Sequence, residues 1–511
     1  MRRLALALAA VSLTSCSLAP KYARPDLPVP PSWPVGDAYL RQSEASLPSI
    51  TYAQVFTDPR LQRIIVEALA NNRDLRIAAA NIETARNQYR IQRAELFPQI
   101  DATARYGYSG GGNGARSSTG SGTGSTGGTT TGTGTTGGTG TGTGTVTTGS
   151  TSSSNSSYSA SLGTTAFEID LFGRIRSLTT AAQNRYFGTE AAARATRLTL
   201  VGDIADAWLT YAADRSLLKI AQDTAASAQR TVDLTAARLR AGVAPRTDVR
   251  QAEQILETAR ADVAQLTTAL AQDVNGLQLL VGAPVDPALL PASIESAFPT
   301  VAALPAGIDS TILLRRPDVV QSEYELRATN AEIGAARAEL FPRVALTGLL
   351  GFASSALSSL FAGGAFNYSV APSASYPIFR AGAGLANVRV SQAQRDAALA
   401  SYERAIQTAF RETADALARQ GTLDAQLGAN RRNEAAAADT FRLAEARYRG
   451  GIDPFLARLD AQRSLYTAQR TVVQTQLIGA SNRVTLYRVL GGDQTLSDRP
   501  VERASSALLN R

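Results

Sequence analysis

The chain has no histidine, one methionine (Met1) and one cysteine (Cys16) among its 511 residues. One cysteine excludes an internal disulfide, and past position 16 there is no thiol for nucleophilic attack or metal binding. Without histidine there is no Ser-His-Asp triad, no imidazole base and no His/Cys zinc site. Carboxylates, Tyr, Lys and Arg remain for chemistry, and the acids are scattered along helix-forming runs rather than clustered on loops. Charge is sparse as well: 18% of residues, 51 basic and 43 acidic, for a net charge of +8. The excess forms no dense basic stripe, which argues against a nucleic-acid partner. Past the leader no segment holds the roughly 18 uninterrupted apolar residues of a spanning helix. A membrane crossing by this chain therefore requires a closed β-barrel.

The start, MRRLALALAAVSLTSC, has a basic pair (Arg2, Arg3) and an apolar stretch (Leu4 to Val11) too short to span a bilayer. Leu13-Thr14-Ser15-Cys16 resembles a bacterial lipoprotein box. That resemblance implies a signal peptide over 1–15, cleavage before Cys16, and a covalent acyl chain on Cys16 as the only non-protein group. Ser17 in place of Asp resembles outer-membrane sorting. Residues 16–59 are Pro-rich and predict an extended arm leading away from the anchor.

Beyond the arm, long stretches lack proline: 60–97, 173–244, 246–283, 380–453 and 455–499. They are rich in Ala, Arg, Gln, Leu and Glu, all strong helix formers. An unbroken 70-residue helix is about 100 Å long, a coiled-coil dimension rather than a globular one. Leu256, Ala259, Val263, Leu266 and Leu270 step by three and four, as do Tyr402, Ile406, Phe410, Ala414 and Leu417. Four other segments alternate apolar and small polar residues, at about 99–108, 157–171, 343–353 and 366–379. Each has about the 9–11 residues of a tilted membrane strand. The second changes phase, which predicts a bulge near Gly163. Between the first two lies a Gly/Thr/Ser low-complexity loop, 109–157, that cannot bury a core.

The chain is duplicated. AELFPQI at 94–100 returns as AELFPRV at 338–344, with Asp74 and Asp318 at the same offset of 244. ARLRAGVAP at 237–245 returns as ARYRGGIDP at 446–454, at an offset of 209. Each half thus reads helix, Leu-Phe-Pro, strand, loop, strand, long helix, Gly/Pro turn, helix. Pro98 and Pro342 stop the helices and push Phe97 and Phe341 towards extended geometry, so these four residues mark helix–strand junctions. Four strands cannot close a membrane barrel, for which eight is about the minimum; membrane strands here demand several copies.

This layout resembles the TolC-like outer-membrane efflux channels, in the lipidated NodT-type branch, over nearly the whole mature chain. The resemblance rests on CSLAPKYARPDLPVPPSW (16–33), the two AELFP copies, FEIDLFGRIRS (167–177), LLRRPDVVQSEYELRATNAEIGAARAELFPRVALTG (313–348), PIF (377–379) and LDAQRSLYTAQ (459–469). It implies an α+β membrane protein: a homotrimeric, twelve-stranded outer-membrane barrel with four strands per subunit, continued by a long α-helical periplasmic barrel. The implied organisation is repeat 1 at 60–283, an equatorial linker at 284–312, repeat 2 at 313–492 and a C-terminal tail at 493–511. The implied function is passive exit of small molecules from a tripartite pump, with a periplasmic adaptor and an inner-membrane resistance–nodulation–division transporter as partners, and no catalysis. A coiled-coil lipoprotein adaptor and a protein-secretion duct are the alternatives. The Gly/Pro turns at 241–248 and 450–460 lie farthest from the barrel in this topology. They supply the gate or adaptor-tip candidates Gly242, Arg246, Asp248, Gly451, Asp453, Arg458 and Asp460, which symmetry would repeat as rings. Departures from the family pattern are Arg380 after PIF, Asp493-Gln494 after the last Gly pair, and Ala457 where an acid is usual.

Overall fold

Four of the five long proline-free runs each carry a single unbroken helix, and the fifth, 60–97, breaks once, at Asn72. The computed structural model describes residues 18–39, 51–110, 154–304 and 310–491. Cys16 and the signal peptide, the interior of the low-complexity loop and the tail from 493 lie outside the described residues. The longer helices are α1 (Pro59–Asn71), α2 (Arg73–Ala94), α3 (Arg174–Arg240), α4 (Arg246–Val281), α5 (Pro317–Ala338), α6 (Ala383–Arg449) and α7 (Phe455–Leu490). The duplication is exact in length where it matters most: α3 and α6 each have 67 residues, and α4 and α7 each have 36. Among the described residues no helix is long and apolar enough to cross a membrane.

The chain divides into two units. A strand unit comprises 95–171 and 341–378, and a helical unit holds the rest. Both AELFP copies sit at a boundary: α2 ends at Ala94 and α5 at Ala338, each within a few residues of a strand. Phe97 and Phe341 remain exposed.

The strand unit is one antiparallel sheet in the order β1 (Asp101–Gly110), β2 (Ser154–Ile169), β3 (Arg343–Ser354), β4 (Phe366–Ser375). The first two strands extend a few residues into the segment expected as loop. Register aligns one apolar face across all four strands. Ala104 faces Ala160, which faces Phe352, which faces Phe366; Ala102, Leu162, Leu350 and Tyr368 form the next row. The opposite face carries Thr103, Ser161, Gly351 and Asn367. The apolar face is bare, with Leu162 52%, Tyr368 74% and Val370 68% exposed. The bulge expected near Gly163 falls just after it, between Thr164 and Phe167, where β2 gains one residue against β3. Ala166 takes a left-handed φ of 55° there, and its N–H donates to the Thr347 hydroxyl at 3.2 Å. That residue moves Phe167 and Ile169 onto the apolar face that Leu162 occupies.

In the helical unit the stripes of three and four are the packing seams. Leu256, Leu277, Val281, Tyr402, Ile406 and Leu417 are buried. The repeats close their hairpins alike. Asn72, before α2, donates to the Leu280 carbonyl near the end of α4 at 2.7 Å. Arg316, before α5, donates to the Val489 carbonyl near the end of α7 at 3.5 Å. Residues 284–304 form short helices under the main core. Trp208 Nε1 donates to the Leu289 carbonyl (3.0 Å), and Phe56 bridges Val301.

The Pro-rich arm is strapped to α5. Arg337 donates to the Leu18 carbonyl (3.1 Å) and Asn330 to the Pro20 carbonyl (2.8 Å). Glu323 accepts from Arg24 (2.7 Å), Arg327 (2.6 Å) and Tyr22 (3.2 Å). A Cβ on Gly334 would lie 2.7 Å from that of Ala19, so only glycine admits the arm there. Farther along, buried Trp33 stacks on Phe410 with ring centroids 5.1 Å apart. Burial alone would raise the Glu323 carboxyl, but hydrogen bonds from Arg24 and Arg327 outweigh it and hold it below the usual range. A lowered carboxyl stabilises the folded state above its unfolded pKa and ceases to as pH falls through the folded value. We expect Glu323→Gln to cost about 1–3 kcal/mol at pH 7, Arg24 being half exposed, and less at acid pH. Thermal unfolding at both pH values and tryptic cleavage after Lys21, the Arg24–Pro25 bond being resistant to trypsin, check this.

Candidate gate at the hairpin turns

Both turns are built from the same hydrogen bonds. At the end of α3, the Ala241, Gly242 and Val243 N–H groups donate to the carbonyls of Ala237, Leu239 and Arg238. At the end of α6, Gly450, Gly451 and Ile452 donate to Ala446, Tyr448 and Arg447. Gly242 and Gly451 take left-handed φ values of 75° and 70°, the conformation that ends a helix with its last carbonyls satisfied. Pro245 and Pro454 then precede α4 and α7 in extended geometry. The crests of the turns are apolar: Val243 is 73% and Ile452 67% exposed.

The charged candidates separate into four environments. Arg246 and Asp460 are exposed. Asp248 is half-buried in the first turn of α4, and burial raises its carboxyl. Asp453 accepts from Arg447 at 2.6 and 2.9 Å, and these hydrogen bonds hold its carboxyl below the usual range.

Arg458 is buried and points inward. Its Nε donates to Glu445 and its Nη2 to the Thr231 hydroxyl at 2.8 Å, while Nη1 is buried without an acceptor. Thr231 belongs to α3 and Glu445 to α6, so one guanidinium from α7 ties the two hairpins together. Beside it Arg238 of α3 lies 4.6 Å above the Tyr448 ring of α6, and Tyr448 packs on Phe455 at 5.5 Å. Ala252, Tyr448, Phe455 and Leu459 form a small core separate from the main one.

The repeat makes the asymmetry explicit. At the offset of 209, Arg458 replaces Val249, Glu445 replaces Ala236, and Asp453 replaces Ala244, whereas Asp248 faces Ala457. The turns therefore share a backbone and differ in charge. Sequence reasoning missed Thr231, Arg238, Glu445, Arg447 and Tyr448. Comparing the repeats would have exposed Arg458, a charge where the other copy has a core valine, and its partner Glu445. Nothing in the chain's periodicity points to Thr231. We expect Arg458→Ala to cost about 2 kcal/mol, since it removes the buried partner of Glu445 and leaves that carboxylate to the exposed Arg449 alone, at 2.9 Å. Asp453→Ala, in an exposed pair, leaves the unfolding temperature unchanged. Thermal unfolding of the two variants side by side checks this contrast.

Comparison with known proteins adds to this geometry. Residues 64–283 and 309–492 match the family described as outer membrane efflux protein. The chain is 41% identical over 491 residues to the toluene efflux pump outer membrane protein TtgC of Pseudomonas putida, covering 96% of this chain and 95% of that one. It is 37% identical to the outer membrane protein OprJ of Pseudomonas aeruginosa, covering 95% and 94%. Among solved structures, the open state of the Neisseria gonorrhoeae MtrE outer membrane channel aligns with a TM-score of 0.78 at 32% identity, over 94% of this chain and 98% of that one.

Proposed function

From the premise that this chain belongs to the outer membrane efflux protein family, as an outer-membrane exit channel of a tripartite efflux system and not an enzyme, we propose how it assembles, closes and is anchored. The proposed assembly is a homotrimer with a shared twelve-stranded barrel. One observation carries it: both units leave the same joint unmade. Within the chain, repeat 1 meets repeat 2 through β2 against β3 and through α3 against α5. The equivalent joint on the other side would set β4 against β1, and α6 against α2. Here β1 and β4 end the sheet, and an open edge has no hydrogen-bond partners in hydrocarbon. Helix α2 has no buried residue, whereas its counterpart α5 has twelve. A neighbouring copy completes both joints, and three copies make a barrel of an allowed size.

The lipid-facing surface in this reading is the row of Ala104, Ala160, Phe352 and Phe366 and its neighbours, with Thr103, Ser161 and Asn367 towards water. The Arg458–Glu445–Thr231 link holds the two hairpins of each subunit together and keeps the tunnel mouth narrow. Asp453, Asp248, Arg246 and Asp460 set the charge around that mouth, and Gly242 and Gly451 shape it. The apolar crests at Val243 and Ile452 offer the adaptor a surface. An inner-membrane resistance–nodulation–division transporter supplies the energy and selects the cargo. Small apolar molecules, like the toluene in the name of the TtgC relative, are the cargo class we favour. Cys16 carries the acyl anchor, and the arm strapped to α5 begins two residues after it.

Planar-bilayer recording of the purified protein tests the duct and its gate together. Wild type gives small, discrete conductances, and Arg458→Ala raises them severalfold while Asp453→Ala alters cation selectivity. A silent wild type overturns the channel, and an Arg458→Ala conductance equal to wild type overturns the link as gate. Separately, Cys16→Ser is expected to abolish incorporation of labelled palmitate and leave a soluble or loosely bound fraction; unchanged labelling rules out Cys16 as the acylated residue.

A further inference from the structure

Acids are missing from most of the strand unit. Residues 102–167 and 344–379 contain no Asp or Glu, and their only basic residues are Arg105 and Arg116. Arg116 lies outside the described residues. Arg105 stands in the middle of β1 between Ala104 and Tyr106, which belong to the apolar face, so strand alternation puts it on the polar face with Thr103. Its row is made of small residues. Ser159 lies directly opposite on β2, and Ala353 opposite Ser159 on β3. Along β1 the same face continues with Thr103, whose hydroxyl meets Ser161 Oγ at 2.8 Å, and Gly107. None of these side chains can cover a guanidinium. Arg105 is exposed and pairs with no carboxylate among the described residues. The other charges of this face lie nearer the ends of the strands that join the helices. Asp101 is four residues back along β1, about 14 Å away at about 3.4 Å per residue. Glu168 and Arg343 are diagonal neighbours of opposite sign on β2 and β3. Beyond Asp101, Arg105 is the one charged side chain among the described residues of the sheet.

We propose that Arg105 forms a cationic ring in the barrel lumen that draws in small anionic solutes, those bearing carboxylate, sulfonate or phosphate groups, and retards cations. This rests on the trimeric channel reading, in which a threefold axis turns one arginine into three, and it names the charge class that the barrel favours. Rings of basic side chains are the arrangement by which pores select anions. Twelve strands about 4.8 Å apart and tilted by about 40° enclose a backbone radius of roughly 12 Å. The Debye length is about 10 Å at 0.1 M salt, so three charges projecting inward act across the whole lumen at low ionic strength. Asp101 lies farther off than that length. A neighbouring copy would set β4 beside β1, and β4 has no charged residue, so assembly brings nothing that neutralises the ring. The segment between β1 and β2 holds no acid either. Uncharged aromatic molecules pass such a ring unaffected, so anionic solutes are added to the apolar class favoured above.

Planar-bilayer recording of the full-length protein, with myo-inositol hexakisphosphate as a multivalent anionic probe, tests the ring. In 0.1 M KCl the probe should block wild type. The half-blocking concentration should rise about tenfold in Arg105→Ser, and also in wild type at 1 M KCl, where the Debye length is about 3 Å. Arg105→Lys keeps the charge and should be blocked like wild type. Arg105→Glu should move the reversal potential in a KCl gradient towards that of K⁺. Size-exclusion chromatography checks that each variant still assembles, and Arg105→Gln replaces Arg105→Ser if the latter does not. A wild type that never conducts overturns the channel and the ring together. A conducting wild type that the probe does not block, or whose block is equal in the neutral variant, overturns the ring alone, as does loss of block in Arg105→Lys.

Discussion

Hydrocarbon offers no hydrogen bonds, and that fact governs this molecule. A four-stranded sheet with two open edges and a bare apolar face cannot remain alone in a bilayer. The chain answers by duplicating itself and leaving one joint for another copy. The same logic runs through the helices, where α5 is enclosed by two neighbours and α2 by one. Stability of a single subunit is, in the proposed assembly, inseparable from association, and the exposed apolar rows of the sheet are the face turned to lipid.

Duplication also supplies an internal control for what each residue does. Equal helix lengths, matched glycine turns and paired closures at Asn72 and Arg316 are what the architecture requires. Differences between the copies, such as Arg458 against Val249 or Glu445 against Ala236, are not required by the fold. They are where one hairpin acquires a behaviour the other lacks, and both lie between helices, where a change of charge alters packing.

Much of the fold was legible because its two periods are pure. Proline-free runs with stripes of three and four became helices, and alternating segments became strands within a few residues. The junctions were legible because proline acts locally on the preceding turn. The arm was only half legible. Its prolines announce extended backbone, but Gly334 and Glu323 decide what it lies against, and neither stands out in a helix of mixed composition. The turns were found, yet their chemistry was not. Arg458 was expected among gate charges, but its burial depends on Thr231, more than two hundred residues away, a contact no spacing encodes.

The one-residue bulge in β2 has a mechanical consequence. It sits just past Gly163, where β1 stops pairing with β2. Before that point β2 keeps step with two neighbours; after it, with β3 alone. The bulge therefore works as an expansion joint. The β1–β2 hairpin and whatever it carries at its far end can lengthen, shorten or drift in sequence without transmitting a change of phase to the junction with the helices. That freedom is one-sided, because β3 and β4 pair without a break, and it places the tolerance for insertion in the half of the chain that holds the long Gly/Thr segment.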